Sequence, residues 1–188
     1  MTTPALLAEL GTLVRERRTI HDYRDDTPPR ETVLEALDEA CWAPNHRRTE
    51  PWRFTLLGRA CALQVSALNA ELVAAKQGAE AAEAKLRRWS AMPGWLVVTC
   101  IKTPDQMREQ EDYAACCCVV QNLALTLWAR GIGMKWGTGK VTRDLRFFQL
   151  IQADPATEFA VGLFWYGYPA EVPKQTRRPL NEFLKIIE

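Results

Sequence analysis

The stretch Asp112–Arg130, DYAACCCVVQNLALTLWAR, decides how the rest of the chain is organised. It predicts one long helix, apolar on most of its sides, and such a helix belongs at the centre of a molecule or in a subunit interface. Gly131 and Gly133 end it. Its apolar part, Tyr113 to Ala129, is interrupted by Gln121, Asn122 and Thr126, so it is not a membrane span. The triplet Cys116-Cys117-Cys118 lies inside the apolar run, where cysteine behaves as a small hydrophobe, and core packing is its expected role.

Working outward, the uninterrupted apolar run Trp95–Ile101 reads as a buried strand. On the other side come a strand at Met134–Gly137, a helix at Thr142–Gln152, a strand at Glu158–Tyr166 and an extended tail. Residues 59–88 are rich in Ala, Glu and Lys and read as helical, with much of the second half solvated, before Met92-Pro93-Gly94 breaks the pattern. The segment 74–91 has few large apolar side chains, as a mobile lid would. Trp52–Leu57 reads as a strand ending at Gly58. Pro28-Pro29 opens a helix whose buried stripe is Val33, Leu34, Leu37 and Cys41, closed by Pro44. A first helix from Thr3 to Arg17 carries Leu6, Leu10, Leu13 and Val14 on one face. Strands separated by helices indicate an α+β sandwich around one sheet.

At 188 residues the chain is expected to form a single domain, residues 1–188, with a sizeable core. Lys and Arg number 24 against 23 Asp and Glu, a net charge of +1, which gives no general attraction to nucleic acid or to an anionic membrane. Ala5-Leu6-Leu7-Ala8 is cut short by Glu9 and is not read as a signal peptide. The cysteines, six in number, show no metal-ligand spacing and suit a reducing compartment, so a soluble cytoplasmic protein without a metal site is expected.

No nucleophile elbow, zinc-protease motif, Walker loop or strand-following G-x-G-x-x-G is present. With only His21 and His46 as imidazoles, either the chain is not an enzyme or a cofactor carries the reaction, and no catalytic side chain is named. Three clusters stand out. Arg17-Arg18-Thr19-Ile20-His21-Asp22-Tyr23 sets two guanidiniums and a hydroxyl at a chain turn, a grip for phosphate, although basic residues also simply favour a helix C-terminus. Trp42-Ala43-Pro44-Asn45-His46-Arg47-Arg48-Thr49-Glu50-Pro51-Trp52 combines flat surfaces with polar groups, which suits a planar heterocycle, or else is a basic surface loop between core tryptophans. Trp136-Gly137-Thr138-Gly139-Lys140 exposes backbone N–H groups able to meet an anion or ring carbonyl, or is an ordinary glycine turn.

In order along the chain, these pieces resemble the nitroreductase family of FMN-dependent oxidoreductases. Arg17-Arg18-Thr19 is similar to the family's opening Arg-Arg-Ser, and Tyr23 to the aromatic that follows. Ala43-Pro44 through Pro51-Trp52-Arg53-Phe54 is similar to its Ala-Pro…Gln-Pro-Trp-x-Phe segment. Gly131-Ile132-Gly133 with Trp136, then Gly162 and Gly167-Tyr168-Pro169-Ala170-Glu171, resemble later signatures, and Arg177-Arg178-Pro179-Leu180 resembles the basic tail. The length and the Asn45-His46 pair look most like a compact branch of NAD(P)H nitroreductases.

The resemblance implies a three-layer α+β sandwich with a central mixed sheet flanked by helices, in an interlocked homodimer with two FMN sites at the interface. Arg17, Arg18 and Thr19 would hold the phosphate end or the polar edge of the flavin. Trp42 and His46 would reach it from the partner, while Trp136, Gly137 and Thr138 line the ring from the first subunit; Asn45 counts with the cofactor-binding residues. Arg177 or Arg178 would assist at the phosphate, and the helix Asp112–Arg130 would form the dimer core. NADH or NADPH would be the co-substrate and a small acceptor, such as a nitroaromatic or quinone, the oxidant.

Two positions depart from the pattern. His21 stands where many members carry a cation near the flavin pyrimidine, which imidazole replaces only when protonated. Glu50 replaces the common Gln, exchanging an amide for an acceptor-only group. These departures motivate an alternative, a flavin-binding or flavin-consuming protein with poor NAD(P)H turnover. A nucleic-acid or phosphoprotein module built on the arginine pairs is disfavoured by the balanced charge.

Overall fold

The computed structural model describes residues 3–187 of the chain. Its elements are α1 (Pro4–Glu16), α2 (Arg30–Ala40), β1 (Trp52–Leu56), α3 (Arg59–Gln77), α4 (Ala79–Ser90), β2 (Gly94–Ile101), α5 (Gln106–Ala129), β3 (Gly133–Gly137), α6 (Leu145–Leu150) and β4 (Glu158–Gly167). Short 3-10 turns occupy His46–Arg48, Lys140–Arg143 and Leu180–Glu182.

The strands lie in the order β1-β2-β4-β3. Side chains alternate across the sheet, as strand geometry requires. Leu96, Val98 and Cys100 of β2, with Phe164 and Tyr166 of β4, pack with α2 and α5. Trp95, Val97, Leu163 and Trp165 point the other way, onto Ala62, Val65 and Leu68 of α3 and Phe147 and Phe148 of α6. The expected three layers are therefore present.

The sheet is not mixed, however: each neighbouring pair of strands is antiparallel. The hairpin of α3 and α4 returns the chain to the end of the sheet it left, so β2 runs back along β1. The single crossover helix α5 sets β3 parallel to β2, but β4 inserts between them, antiparallel to both. An isolated parallel bridge, Thr19 to Met134, adds the Arg17–His21 segment at the β3 edge.

Three boundaries differ from the sequence expectation. α5 starts at Gln106, ahead of the apolar run, because Asp105 caps it by accepting from the Met107 and Arg108 N–H groups at 3.0 and 3.3 Å. The helical stretch 59–88 is resolved into two helices, broken at Gly78, whose φ of 90° suits glycine, and runs on to Ser90. The segment 142–152 is likewise divided, since Asp144 turns from extended backbone to cap α6, accepting from the Arg146 N–H at 2.9 Å.

The cysteine triplet divides its work. Cys116 is fully buried, and contact with the Cys100 thiol together with burial pushes its own thiol up, away from reactivity. Cys117 and Cys118 are half-buried on another side of α5. In contrast α1 buries no residue: Leu6, Leu7, Leu10 and Val14 are each more than half exposed. The tail is extended as expected and leaves Leu180, Phe183, Leu184, Ile186 and Ile187 exposed. Only Ala82 of α4 is buried, matching the expected solvation, yet Trp89 anchors that helix by edge contacts with Trp95 and Trp165 at 5.8 and 4.8 Å. Among the described residues no helix is long and apolar enough to cross a membrane.

Candidate functional site

Arg17 is the C-cap of α1, its N–H bonded to the Leu13 carbonyl at 3.1 Å. Arg18 then reaches into backbone: Nε donates to Pro173 at 3.1 Å, and Nη1 donates to Arg15 and Arg17 carbonyls at 2.6 and 2.9 Å. These bonds fasten the C-terminal tail to the end of α1 and bring Arg177 beside Arg17. Together with Val14, Arg15, Arg18 and Gln175 they line a cavity of about 500 Å³.

That cavity has an excess of donors. The Arg17 Nε–H is buried without an acceptor, and burial together with Arg177 and Arg18 pushes its guanidinium below the usual arginine value. No carboxylate lines the cavity. Such a donor set fits a phosphate or another multivalent anion. Arg178 faces elsewhere, bonded to Glu182 at 3.2 Å and lying 4.3 Å over the Phe183 ring, so of the two tail arginines only Arg177 joins the group.

Past Arg18 the chain follows β3. The Ile20 N–H donates to Met134 at 3.3 Å, and the Ile20 side chain packs over Gly133, where any Cβ would collide with it. Gly131, at φ 73°, turns the chain out of α5. The Gly-Ile-Gly signature is thus a helix stop followed by a close approach. Thr19 is exposed beside Met134. His21 is exposed and neighbours Lys85, Arg88 and Lys135; the sequence reading singled out Arg88 only as one of the arginine pairs, and Lys85 and Lys135 not at all. Burial, Lys135 and Arg88 lower its basicity, with Asp22 opposing, so a neutral imidazole is favoured.

The third cluster is engaged with the sheet. Trp136 donates from Nε1 to the Val161 carbonyl at 3.0 Å and lies 5.4 Å from the Phe164 ring. Gly162 lies directly beneath the indole, and a Cβ there would strike Trp136 Nε1 and Cδ1. Gly162→Ala is therefore expected to unseat Trp136 and to destabilise the fold by about 1–3 kcal/mol. A thermal melt checks this, at about 2–4 °C lost per kcal/mol for a chain of this size. Gly137 lies against Trp165, and Thr138 is exposed on a separate cavity of about 570 Å³ shared with Tyr113, Thr142 and Phe148.

Within the loop after α2, Trp42 is 86% exposed. Asn45 works on the loop itself: its Oδ1 accepts from the Glu50 N–H at 2.7 Å and its Nδ2 donates to Thr49 Oγ1 at 3.0 Å. Thr49 in turn donates to the buried carboxylate of Asp112 on α5. This chain of bonds holds Arg47, Arg48 and Glu50 at φ 60°, 51° and 44°, a conformation that non-glycine residues adopt at a cost and that clusters at functional sites. His46 is exposed at the tip, its Nε2 accepting from Arg47 Nε at 3.3 Å.

The Asn45–Thr49 loop and the arginine cavity sit towards opposite ends of α5. Asp112 ties down the loop, whereas Trp128 shares a surface hollow with Leu13 and Glu16 at the end of α1. The two contact points are about 24 Å apart at 1.5 Å rise per residue. Another cavity, about 630 Å³ and lined by Asp25, Arg30, Arg59, Met92 and Trp95 among others, contains none of the expected site residues.

The sequence profile of the nitroreductase family matches residues 14–168. A relative described as "Putative NAD(P)H nitroreductase YfhC", from Bacillus subtilis (strain 168), is 32% identical over 177 residues, covering 90% of this chain and 89% of its own length. Among solved structures, a nitroreductase-like family protein from Bacillus cereus superposes with a TM-score of 0.84 at 32% identity, covering 100% of this chain and 99% of that one. A nitroreductase with bound FMN from Desulfitobacterium hafniense DCB-2 shares the fold at a TM-score of 0.75 and 16% identity, over 100% of both chains. With its three layers, its arginine cavity and a profile match over most of its length, this chain belongs to the nitroreductase family.

Proposed function

We propose that the protein is an FMN-dependent NAD(P)H oxidoreductase that works as a homodimer and passes electrons to a small acceptor such as a nitroaromatic or quinone. The observation that carries this reading is the cavity in which Arg17, with its buried orphan Nε–H, meets Arg177 without a neutralising carboxylate. A ribityl phosphate suits that donor set. Family membership, the NAD(P)H nitroreductase description of the Bacillus subtilis relative and the FMN bound by a structural neighbour support it. Bound FMN would supply two-electron chemistry between a nicotinamide and the acceptor, leaving this chain to bind, orient and exclude water.

Arg17 and Arg177 hold the phosphate in this reading, and Arg18 positions the tail that brings Arg177 in. Thr19 and His21 continue along the β3 edge towards the ring, and Gly137 and Thr138 extend beyond. Trp42 and His46 belong to a second copy, because the loop they occupy is tied to the far end of α5. Uncovered apolar surface supports the dimer. Ala114, Cys117, Cys118, Gln121, Leu125 and Trp128 fall on one side of α5 and are exposed or only half-buried. The apolar face of α1 and the apolar tail are also uncovered. All six cysteines are unpaired, which suits the reducing cytoplasm.

A second reading keeps the flavin but not the turnover, and the environment that favours a neutral His21 is its support. An absorption spectrum of the purified protein, followed by anaerobic addition of NADH and then NADPH, separates the two. Yellow protein bleached by a nicotinamide is the expected result. Yellow protein that does not bleach supports the second reading, and colourless protein that refuses added FMN contradicts both.

A further inference from the structure

The cavity of about 630 Å³ lies at the end of the sheet where β1 finishes and β2 begins. It shares no lining residue with the arginine cavity or with the cavity beside Thr138. Its volume is within the range of about 300–1,000 Å³ common for small-molecule sites. Leu56, Leu57, Met92 and Trp95 are among its apolar walls. Flat and polarisable side chains of this kind suit an aromatic body.

The polar groups of this cavity are unspent. Arg30 and Arg59 open α2 and α3 at its wall, and neither helix has a side-chain cap, so the first N–H groups of both also favour an anion. Arg59 donates to the Ser90 carbonyl, and among the described residues neither arginine pairs with a carboxylate. These two cations stand against one acid, Asp25, which leaves the lining one positive charge in excess. Tyr166, also on the wall, is only 8% exposed. Its ring lies against Gly94, another wall residue, and Arg30 is near enough for its charge to act on the hydroxyl. Among the described residues that hydroxyl has no hydrogen-bond partner, yet it is not sealed from solvent, so it opens onto the cavity. Burial pushes the phenol up, with Arg30 opposing, and the group stays a neutral donor in need of an acceptor.

We propose that this cavity is a second ligand site, for a small monocarboxylate with an aromatic body, an arylalkanoate whose ring lies on Met92 and Trp95 and whose carboxylate accepts from the Tyr166 hydroxyl and meets Arg30 and Arg59. The single excess positive charge matches one carboxylate. Asp25 repels a phosphate dianion, the reverse of the arginine cavity, where no carboxylate stands. The site is separate from the flavin reading and does not depend on it.

The test is equilibrium dialysis of the purified, FMN-saturated protein against 3-phenylpropionate. Uptake of one equivalent per chain is expected, with the flavin absorption spectrum unchanged, because the cavity stands apart from the arginine cavity. The neutral isostere 3-phenylpropanamide is expected to bind about tenfold more weakly, and Arg30→Met to weaken the acid by a similar factor. Tyr166→Phe keeps the ring and is expected to weaken the acid about threefold. Both variants are expected to melt as the wild type does, since Arg30 is exposed and the Tyr166 hydroxyl has no partner to lose. No uptake of the acid, equal affinity for the amide, or wild-type affinity in Arg30→Met or Tyr166→Phe overturns the proposal. Displacement of FMN or a changed flavin spectrum places the acid at the flavin and overturns it too. Protein that takes up no FMN contradicts the flavin reading alone, because the same dialysis then tests this site in the cofactor-free chain.

Discussion

Arg17→Met is expected to raise the dissociation constant for FMN about tenfold to a hundredfold, the loss of a charge-assisted contact worth about 1.5–3 kcal/mol. The fold is expected to survive. In the free chain Arg17 Nε–H has no acceptor, and two neighbouring guanidiniums oppose its charge, so methionine removes an unfavourable burial as well as a ligand contact. Titration of the apoprotein with FMN, read by quenching of flavin fluorescence, gives the affinity, and a thermal melt gives the stability. Arg18→Ala has a different origin for its effect. It removes the bond to Pro173 and frees the tail, so affinity falls because Arg177 is no longer held in place. Wild-type affinity in Arg17→Met would place the phosphate elsewhere.

The double substitution Ala114→Arg with Gln121→Arg is expected to have the larger effect: a monomer in sedimentation, with FMN binding weakened more than a hundredfold. Both residues are exposed, so neither arginine has to enter the packed interior, and the circular dichroism spectrum is expected to match the wild type. They lie seven residues apart, on one side of α5 beside Cys117 and Cys118, where two copies would bring their α5 helices together. Like charges facing one another across such a contact oppose association. Full FMN binding by a monomer would show that one chain suffices for the site.

Much of the fold is legible because apolar runs report burial directly. Trp95–Ile101 and the run after Asp112 are buried on more than one side, and both emerge as central elements. The break at Gly78 is less legible because strong helix formers flank it, and one glycine costs a helix only about 1 kcal/mol. Strand direction is not a local property at all. Nothing within Glu158–Tyr166 shows that it inserts between β2 and β3, and a mixed sheet followed only from likeness.

The site divides in the same way. Arg17-Arg18-Thr19 is one contiguous motif, so the sequence displays it. Arg177 and Arg178 are adjacent in an extended segment, where successive side chains point in opposite directions, and the sequence leaves open which one turns inward. Asn45 reads in the sequence as a polar, loop-borne ligand contact; its bonds to Thr49 and Glu50, which shape the loop, are not legible there because both partners lie on the far side of the loop's turn. The cations around His21 come from α4 and β3, far apart in sequence, and only the packing of α4 beside the sheet edge assembles them.

The composite site is tested most directly by mixing two deficient proteins. Arg17→Met with Arg177→Met removes the phosphate grip, and Trp42→Ala with His46→Ala removes the loop contribution; each homodimer is expected to lose FMN. In a mixed dimer of the two, one site collects all four lesions and the other has none. Co-expressed and purified through two different tags, the mixed dimer is expected to hold one FMN per two chains with wild-type affinity. Mixed dimers as empty as either parent would mean that both sets of residues act on the flavin from a single chain, or not at all, and would contradict a site shared between two copies.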